Sequence, residues 1–364
     1  MNIASPIPAP FPWFGGKSAV AAEIWKRFGN VPNYVEPFFG SGAVLLGRPH
    51  KPKTETINDK DQFVSNFWRA VKSDPEAVAH YCDWPVNEAD LFARHFWLIT
   101  TGRTTLETLL CDPEAYDAKI AGWWCWGLCS WIGAGWCSGN GPWHRTDEGW
   151  SSASAPTSGA QEDNDERQLP HLGGGRGINR KLPHLGDAGR GINRKLPHLG
   201  GGRGINRQLP HLGDAGRGEY ILSMMCALAE RLRHVRVCCG DWSRVCGPSP
   251  TIKHGITGIF LDPPYSAEAE RCETLYGVDD LSVSHAVREW AIANGGNPLF
   301  RICLAGYDGE HAMPEVWICH KWKARGGYGS QGADDGSGRL NSERERLWFS
   351  PHCLIGTPKQ GRFL

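Results

Sequence analysis

Residues 34–46, Tyr-Val-Glu-Pro-Phe-Phe-Gly-Ser-Gly-Ala-Val-Leu-Leu, place the strongest constraint on the fold. A short apolar run, a turn with glycines at 40 and 42, and a second apolar run read as strand, tight turn and helix. This is the opening βα unit of a nucleotide-binding α/β fold, where glycines let the backbone approach a ligand closely. Position 45 is leucine, so the dinucleotide pattern Gly-x-Gly-x-x-Gly is absent. Glu36, at the strand's end, is a candidate acceptor for an ammonium or hydroxyl group. Upstream, Phe-Pro-Trp-Phe-Gly-Gly-Lys (11–17) reads as a two-glycine turn leading into a helix that ends near Phe28. Lys17 is either an exposed lysine at a helix start or a cation that holds a ligand carboxylate or phosphate.

Residues 54–59 read as a second short strand ending in Asp59, about twenty residues beyond the glycine turn. Doubly wound folds place a ribose-binding acid at roughly that distance. Asp59 and Asp61 also precede a helix whose Phe63, Val64, Phe67, Trp68 and Val71 fall at helical spacing, so an N-cap is the competing role. Further helical patterns cover about 75–83, 87–100 and 113–130.

A second constraint is Ile259-Phe260-Leu261-Asp262-Pro263-Pro264-Tyr265. The apolar run reads as a buried strand, ended by prolines that remove backbone donors and fix φ. Asp262, the Pro263 carbonyl and Tyr265 then stand at the carboxyl end of a strand, where open α/β sheets bind ligands. Two acceptors and an aromatic face suit a flat base with an exocyclic amine. Arg236 to Trp242 reads as another strand, ending in Asp241 and Trp242 beside the glycine turn. Helices are expected over 220–235 and 282–294, and strands over 299–304, 316–322 and 344–350, the last running antiparallel.

Charge is balanced, 39 basic against 39 acidic residues, so any nucleic-acid surface must be local. Thirteen scattered cysteines, no leader pattern and no apolar run of about 18 residues point to a reduced, cytoplasmic protein without a membrane span. The middle of the chain is unlike the rest. Seven tryptophans lie between 123 and 150, more suited to packing than to stacking on bases. Cys125, Cys129 and Cys137 lack paired metal-ligand spacing, and no metal is expected. Residues 147–166 hold six acids and no Lys or Arg, as a flexible linker would. Leu-Pro-His-Leu-Gly then recurs at 169, 182, 196 and 209, and the span 168–217 carries nine Lys/Arg against two Asp. It reads as a low-complexity loop insertion, as a short stacked solenoid, or as a basic arm on the DNA backbone. The arm is favoured, with Arg176, Arg180, Arg190, Arg194, Arg203, Arg207 and Arg217 as its contacts.

The motifs in order are Trp-Phe-Gly-Gly-Lys (13–17), Val-Glu-Pro-Phe-Phe-Gly-Ser-Gly (35–42), Asn-Asp (58–59), Gly-Asp-Trp (240–242) and Asp-Pro-Pro-Tyr (262–265). Together they resemble the Dam-type (D12 class) DNA adenine-N6 methyltransferases in the alpha motif order, over roughly 10–85 and 219–350. Asn341-Ser342-Glu343 also resembles that family's C-terminal Asn-Ser/Thr-x-x-Glu pattern. The resemblance implies a Rossmann-like S-adenosylmethionine-dependent sheet, mostly parallel, of seven strands with one antiparallel. It assigns 1–84 and 219–364 to the catalytic domain and 85–218 to an inserted target-recognition region. Trp13, Lys17, Glu36, Phe38, Gly40, Gly42, Asp59, Asp241 and Trp242 would then hold S-adenosylmethionine. Asp262, Pro263, Pro264 and Tyr265 would carry catalysis on a flipped adenine of double-stranded DNA. The middle departs from the family's usual recognition domain, so no target sequence carries over, and a partner restriction nuclease is left open.

An aromatic amine is a poor nucleophile because its lone pair is delocalised into the ring. Acceptors on both amine hydrogens, Asp262 and the Pro263 carbonyl, favour a pyramidal nitrogen. The rival readings are an RNA or cytosine-N4 methyltransferase, and a non-catalytic DNA-binding or scaffolding protein acting through its repeats. Aspartate at 262 favours adenine, and intact Asp262, Glu36 and Gly40 argue against a vestigial fold.

Overall fold

The computed structural model describes residues 7–13, 15–131, 136–137, 141–146, 149–152, 217–265, 283–323 and 344–355. Nine strands lie among them: β1 (Asn33–Glu36), β2 (Thr54–Asp59), β3 (Trp143–Thr146), β4 (Gly149–Ser152), β5 (Val235–Cys239), β6 (Thr257–Leu261), β7 (Phe300–Tyr307), β8 (Ile318–Lys321) and β9 (Glu345–Phe349). The helices are α1 (Ala21–Phe28), α2 (Ala43–Leu46), α3 (Gln62–Ser73), α4 (Pro75–Cys82), α5 (Glu88–Trp97), α6 (Arg103–Leu106), α7 (Ala118–Ser130), α8 (Arg217–Leu232), α9 (Ser243–Cys246) and α10 (Val283–Asn294).

Seven strands form one sheet in the order β5-β2-β1-β6-β7-β9-β8. Neighbours from β5 to β7 pair in parallel, and β9 runs antiparallel to both β7 and β8. This is the Rossmann-like methyltransferase sheet that the motif order implies. Strands β1, β6 and β9 are buried along their whole length. For β6 that explains the near-continuous apolar run, as in a strand covered on both faces. The remaining two strands, β3 and β4, make a separate antiparallel hairpin.

The strand order reverses at β1, with β2 on one side and β6 on the other, all three running parallel. Ligands bind at such a switch point, beyond the carboxyl ends of the strands. At the end of β1, Gly40 and Gly42 adopt φ of 47° and 69°. A Cβ at Gly40 would run into the Trp13 indole, and one at Gly42 would meet the Phe39 ring at 2.6 Å. The sequence can turn here only with glycine.

Helix α7 lies inside the span read as an inserted region, yet it packs into the main core. Ile120, Ala121, Trp124, Cys125 and Trp126 are buried in one cluster with Phe63, Phe67 and Trp68 of α3 and Val78 and Cys82 of α4. Gly122 permits that contact, because a Cβ there would collide with Tyr81. Asp117 caps α7 and ties it to α3: its carboxylate accepts from Ile120 N, while its own N–H donates to Asn66 Oδ1 at 2.7 Å. No helix among the described residues is long and apolar enough to cross a membrane.

Candidate active site

One cleft of about 940 Å³ opens along the carboxyl edge of β5, β2, β1 and β6. Its walls bring together Trp13, Lys17, Glu36, Phe38, Gly40, Asp59, Asp241, Trp242, Asp262 and Pro264 from five separate sequence motifs. Strand register produces this assembly: Glu36 ends β1, Asp59 ends β2, and Asp241 and Asp262 follow β5 and β6 directly.

The β1 end of the cleft is apolar above and acidic below. Trp13 lies over the glycine turn. Phe38 and Trp242 face each other with centroids 6.3 Å apart and planes 29° from parallel. Tyr34 donates its hydroxyl to Glu36 Oε2 at 2.8 Å. Burial pushes the Glu36 carboxyl well above its ordinary range, and that hydrogen bond offsets only part of the rise.

Asp59 braces the turn. One oxygen accepts the Gly40 N–H at 3.0 Å and the other accepts the Asp61 N–H at 2.9 Å. Burial, helped by the nearby Asp61 charge, raises its pKa to about 7. The cap of α3 is Asp61, whose carboxylate accepts from Phe63 N at 2.8 Å. The two acids before α3 therefore divide the labour: Asp61 caps, and Asp59 shapes the cleft. Asp241 is more open, and a hydrogen bond from Ser243 holds its carboxyl below the usual value.

At the β6 end, a compact ionic cluster links the first and last motifs. Lys17 Nζ lies 2.9 Å from Asp262 Oδ2, 3.9 Å from Glu345 Oε2, and donates to Tyr265 Oη at 3.1 Å and Gly15 O at 2.7 Å. Tyr265 in turn donates to Glu345 Oε2 at 2.8 Å. Lys17 and Glu345 are 3% and 4% exposed at their side chains, whereas Asp262 keeps 20%. Burial alone lowers the Lys17 pKa, but Asp262 and Glu345 more than offset it, and the ammonium ends above its ordinary value. Burial raises the Asp262 and Glu345 carboxyls, and Lys17 pulls both back.

Lys17 thus sits at the tetrad's carboxylate, a placement the turn at 11–17 did not disclose. Tyr265, expected to offer a stacking face, is 7% exposed. Its ring packs edge-on against Tyr307, with centroids 4.4 Å apart. Glu345 was missed by the sequence reading. Its signal was present, since it stands four positions after Asn341, at the glutamate place of the Asn-Ser/Thr-x-x-Glu pattern. Arg176, Arg180, Arg190, Arg194, Arg203 and Arg207, the Arg217 side chain and Asn341-Ser342-Glu343 lie outside the described residues.

Residues 13–98 match the family model of the D12 class N6 adenine-specific DNA methyltransferases. Over this segment the chain is similar to the D12 class. The matched stretch carries the β1 and β2 half of the cleft, from Trp13 and Lys17 to Asp59. The other half of the cleft, Asp241 to Tyr265 and Glu345, lies beyond the matched residues. No curated protein matches the chain. The match supports DNA adenine methyltransferase activity, and such methyltransferase families generally use S-adenosylmethionine.

Proposed function

We propose that the chain transfers a methyl group from S-adenosylmethionine to the N6 amine of an adenine rotated out of double-stranded DNA. The observation that carries this reading is the sharing of one cleft by the glycine turn and a partly open carboxylate, Asp262. The residues present suit the donor. Phe38 and Trp242 offer aromatic faces on which an adenine ring could stack, with Asp241 beside them. Asp59 stands where ribose hydroxyls would lie, and Glu36 where an ammonium would. When bound there, S-adenosylmethionine supplies an electrophilic methyl on a sulfonium.

The chain's own part is to prepare the amine. Lys17 takes Asp262 Oδ2 and opposes the rise that burial gives that carboxyl, favouring its ionised form. Oδ1 is then the acceptor for one amine hydrogen, and the Pro263 carbonyl for the other. Localising the nitrogen lone pair and aligning it are electrostatic and positional tasks. Stacking by Tyr265 would require its ring to be uncovered as the base arrives. Extruding that base costs a few kcal/mol, which contacts in the pocket must offset.

The decisive experiment incubates purified protein with S-adenosylmethionine and DNA or RNA, then resolves the methylated nucleosides by mass spectrometry. N6-methyladenine in DNA supports the assignment. N4-methylcytosine, methylated RNA alone, or no product with well-bound cofactor would replace it. Asp262→Ala should abolish transfer while leaving cofactor affinity largely intact. The division at residues 84/85 and 218/219 and the basic arm of 168–217 belong to the same proposal. Deleting 168–216 should weaken DNA binding and lessen its salt dependence, with cofactor binding unchanged. Unaltered methylation would mark the repeats as a passive insertion.

A further inference from the structure

A second cleft, of about 920 Å³, opens between α4, α5 and α7, away from the proposed active site. Tyr81, Trp84, Trp97 and Trp123 wall it, and Arg94 lies within it. Arg94 is 7% exposed, yet it forms no ion pair with any described residue. Its Nη1 has no hydrogen-bond acceptor among them. Asp90, one turn earlier on its helix, attracts it from beyond ion-pair distance, while its Oδ2 accepts from Trp84 Nε1 at 2.7 Å and from Asn87 Nδ2. Instead the guanidinium lies against three indoles, with its carbon 4.5 Å from the Trp126 ring centre, 4.9 Å from Trp84 and 5.1 Å from Trp123. Lys119 adds a second cation, 4.2 Å from the Trp97 ring centre and 4.4 Å from Trp123.

Aromatic faces compensate a buried cation only in part, and the loss of water around a guanidinium exceeds what they return. A charge left in this state calls for an anion or a strong oxygen acceptor. Flat indole walls call for a planar partner. A nucleotide carries both, as a base that stacks and phosphate or carbonyl oxygens that accept. Trp84 is 46% exposed and covers Arg94 on its outer side, so it is the wall that yields to a ligand.

The place of the cleft fits as well. Trp124, the residue after Trp123 on α7, lies parallel to Phe63 at 6.4 Å and is 6.2 Å from Trp13, which lines the first cleft. Phe63 is in the first turn of α3, at the sheet edge where Asp59 ends β2. The two clefts are therefore separated by one helix, a thickness of about 10 Å.

We infer that the α4–α5–α7 cleft holds a second nucleotide of the DNA substrate, beside the extruded adenine, with its base on Trp84 and Trp123 and an oxygen on Arg94. This rests on the proposed function and deepens it. The test uses full-length protein and duplexes carrying 2-aminopurine at single positions flanking the target, read by fluorescence and by anisotropy. Wild type should quench one flanking position strongly, as stacking on indole does. Arg94→Met and Trp84→Ala should each weaken DNA binding by roughly 5- to 100-fold. Trp84→Ala should also abolish the quenching, and cofactor affinity should hold in both variants. Trp84 is a surface position, so its variant decides the matter if Arg94→Met fails to fold. Wild-type DNA affinity and quenching in Trp84→Ala would overturn the cleft alone. A wild-type protein that binds no DNA would overturn the methyltransferase reading with it.

Discussion

Lys17 Nζ and Asp262 Oδ2 lie 2.9 Å apart, joining the turn before α1 to the acid after β6. The pair explains how a carboxylate can be largely buried and still serve as an ionic acceptor. Removing the cation leaves Asp262 with burial alone, which favours its protonated form. Lys17→Met should therefore lower kcat on the order of 100-fold. The acid limb of the pH–rate profile should move to higher pH, because more of Asp262 is protonated at each pH. Cofactor affinity, measured by calorimetry, should change little. A variant with weakened cofactor binding and wild-type kcat would return Lys17 to the cofactor-holding role implied by its motif.

Glu345 acts through its neighbours. It accepts the Tyr265 hydroxyl and adds a second acid near Lys17. Glu345→Gln keeps an oxygen for Tyr265 but removes the charge, whereas Glu345→Ala leaves a buried hydroxyl to find another acceptor, at about 1–3 kcal/mol. The alanine variant should lose more kcat than the glutamine variant, with the DNA and cofactor dissociation constants nearly constant. Equal losses in both variants, or losses confined to thermal stability, would reduce Glu345 to a packing residue.

Which features the sequence disclosed follows from their range. Strand β2 and its terminal acid were legible because apolar pattern and turn chemistry are local signals. The assembly of Glu36, Asp59, Asp241 and Asp262 on one edge was legible because parallel α/β topology places every strand's carboxyl end on one side. The Lys17–Glu345–Tyr265 cluster was not, since it depends on side-chain direction across three distant segments. Helix α7 was legible as a helical pattern with packing tryptophans, but its burial against α3 and α4 was not, because those partners are distant in sequence. Its tryptophans and glycines resemble the low-complexity stretch that follows, yet a helix apolar on nearly every face is one that a core surrounds. The buried, unpaired Arg94 has no signature in sequence.

Glu55 ties together two parts of the fold that lie on either side of the repeats in sequence. Its Oε1 lies 3.0 Å from Arg48 Nη1, and its Oε2 2.6 Å from Arg231 Nη1 on α8, with Glu55 2% exposed. Arg231 also donates to Leu45 O at 3.0 Å. Glu55→Ala strands two guanidinium groups, one of them buried, and should cost about 3–5 kcal/mol of stability. Denaturant unfolding would show it as a lowered midpoint. Activity per folded molecule should survive, since Glu55 lies outside the cleft walls. An unchanged midpoint would mean that water or rearranged partners already satisfy both arginines.

Asp59 gives the cofactor half of the cleft a pH dependence. Its folded pKa of about 7 stands above the ordinary 3.8, from burial first and the Asp61 charge second. The folded chain thus holds this proton more tightly than the unfolded chain does. The contribution to stability is full below the unfolded value and is lost as pH rises toward the folded one, between about 4 and about 7. Cofactor binding should run the other way, because the ionised carboxylate is the stronger acceptor for a ribose hydroxyl. Calorimetric titration should show S-adenosylmethionine affinity rising with pH through about 7 and then levelling. Asp61 faces the same region, but Arg103 and its cap bonds to Phe63 and Val64 oppose the rise that burial gives it. Asp59→Asn keeps an oxygen for the Gly40 N–H and cannot ionise, so its binding should be weaker and flat over that window. If the asparagine variant kept the wild-type slope, the titrating group would lie elsewhere in the cleft.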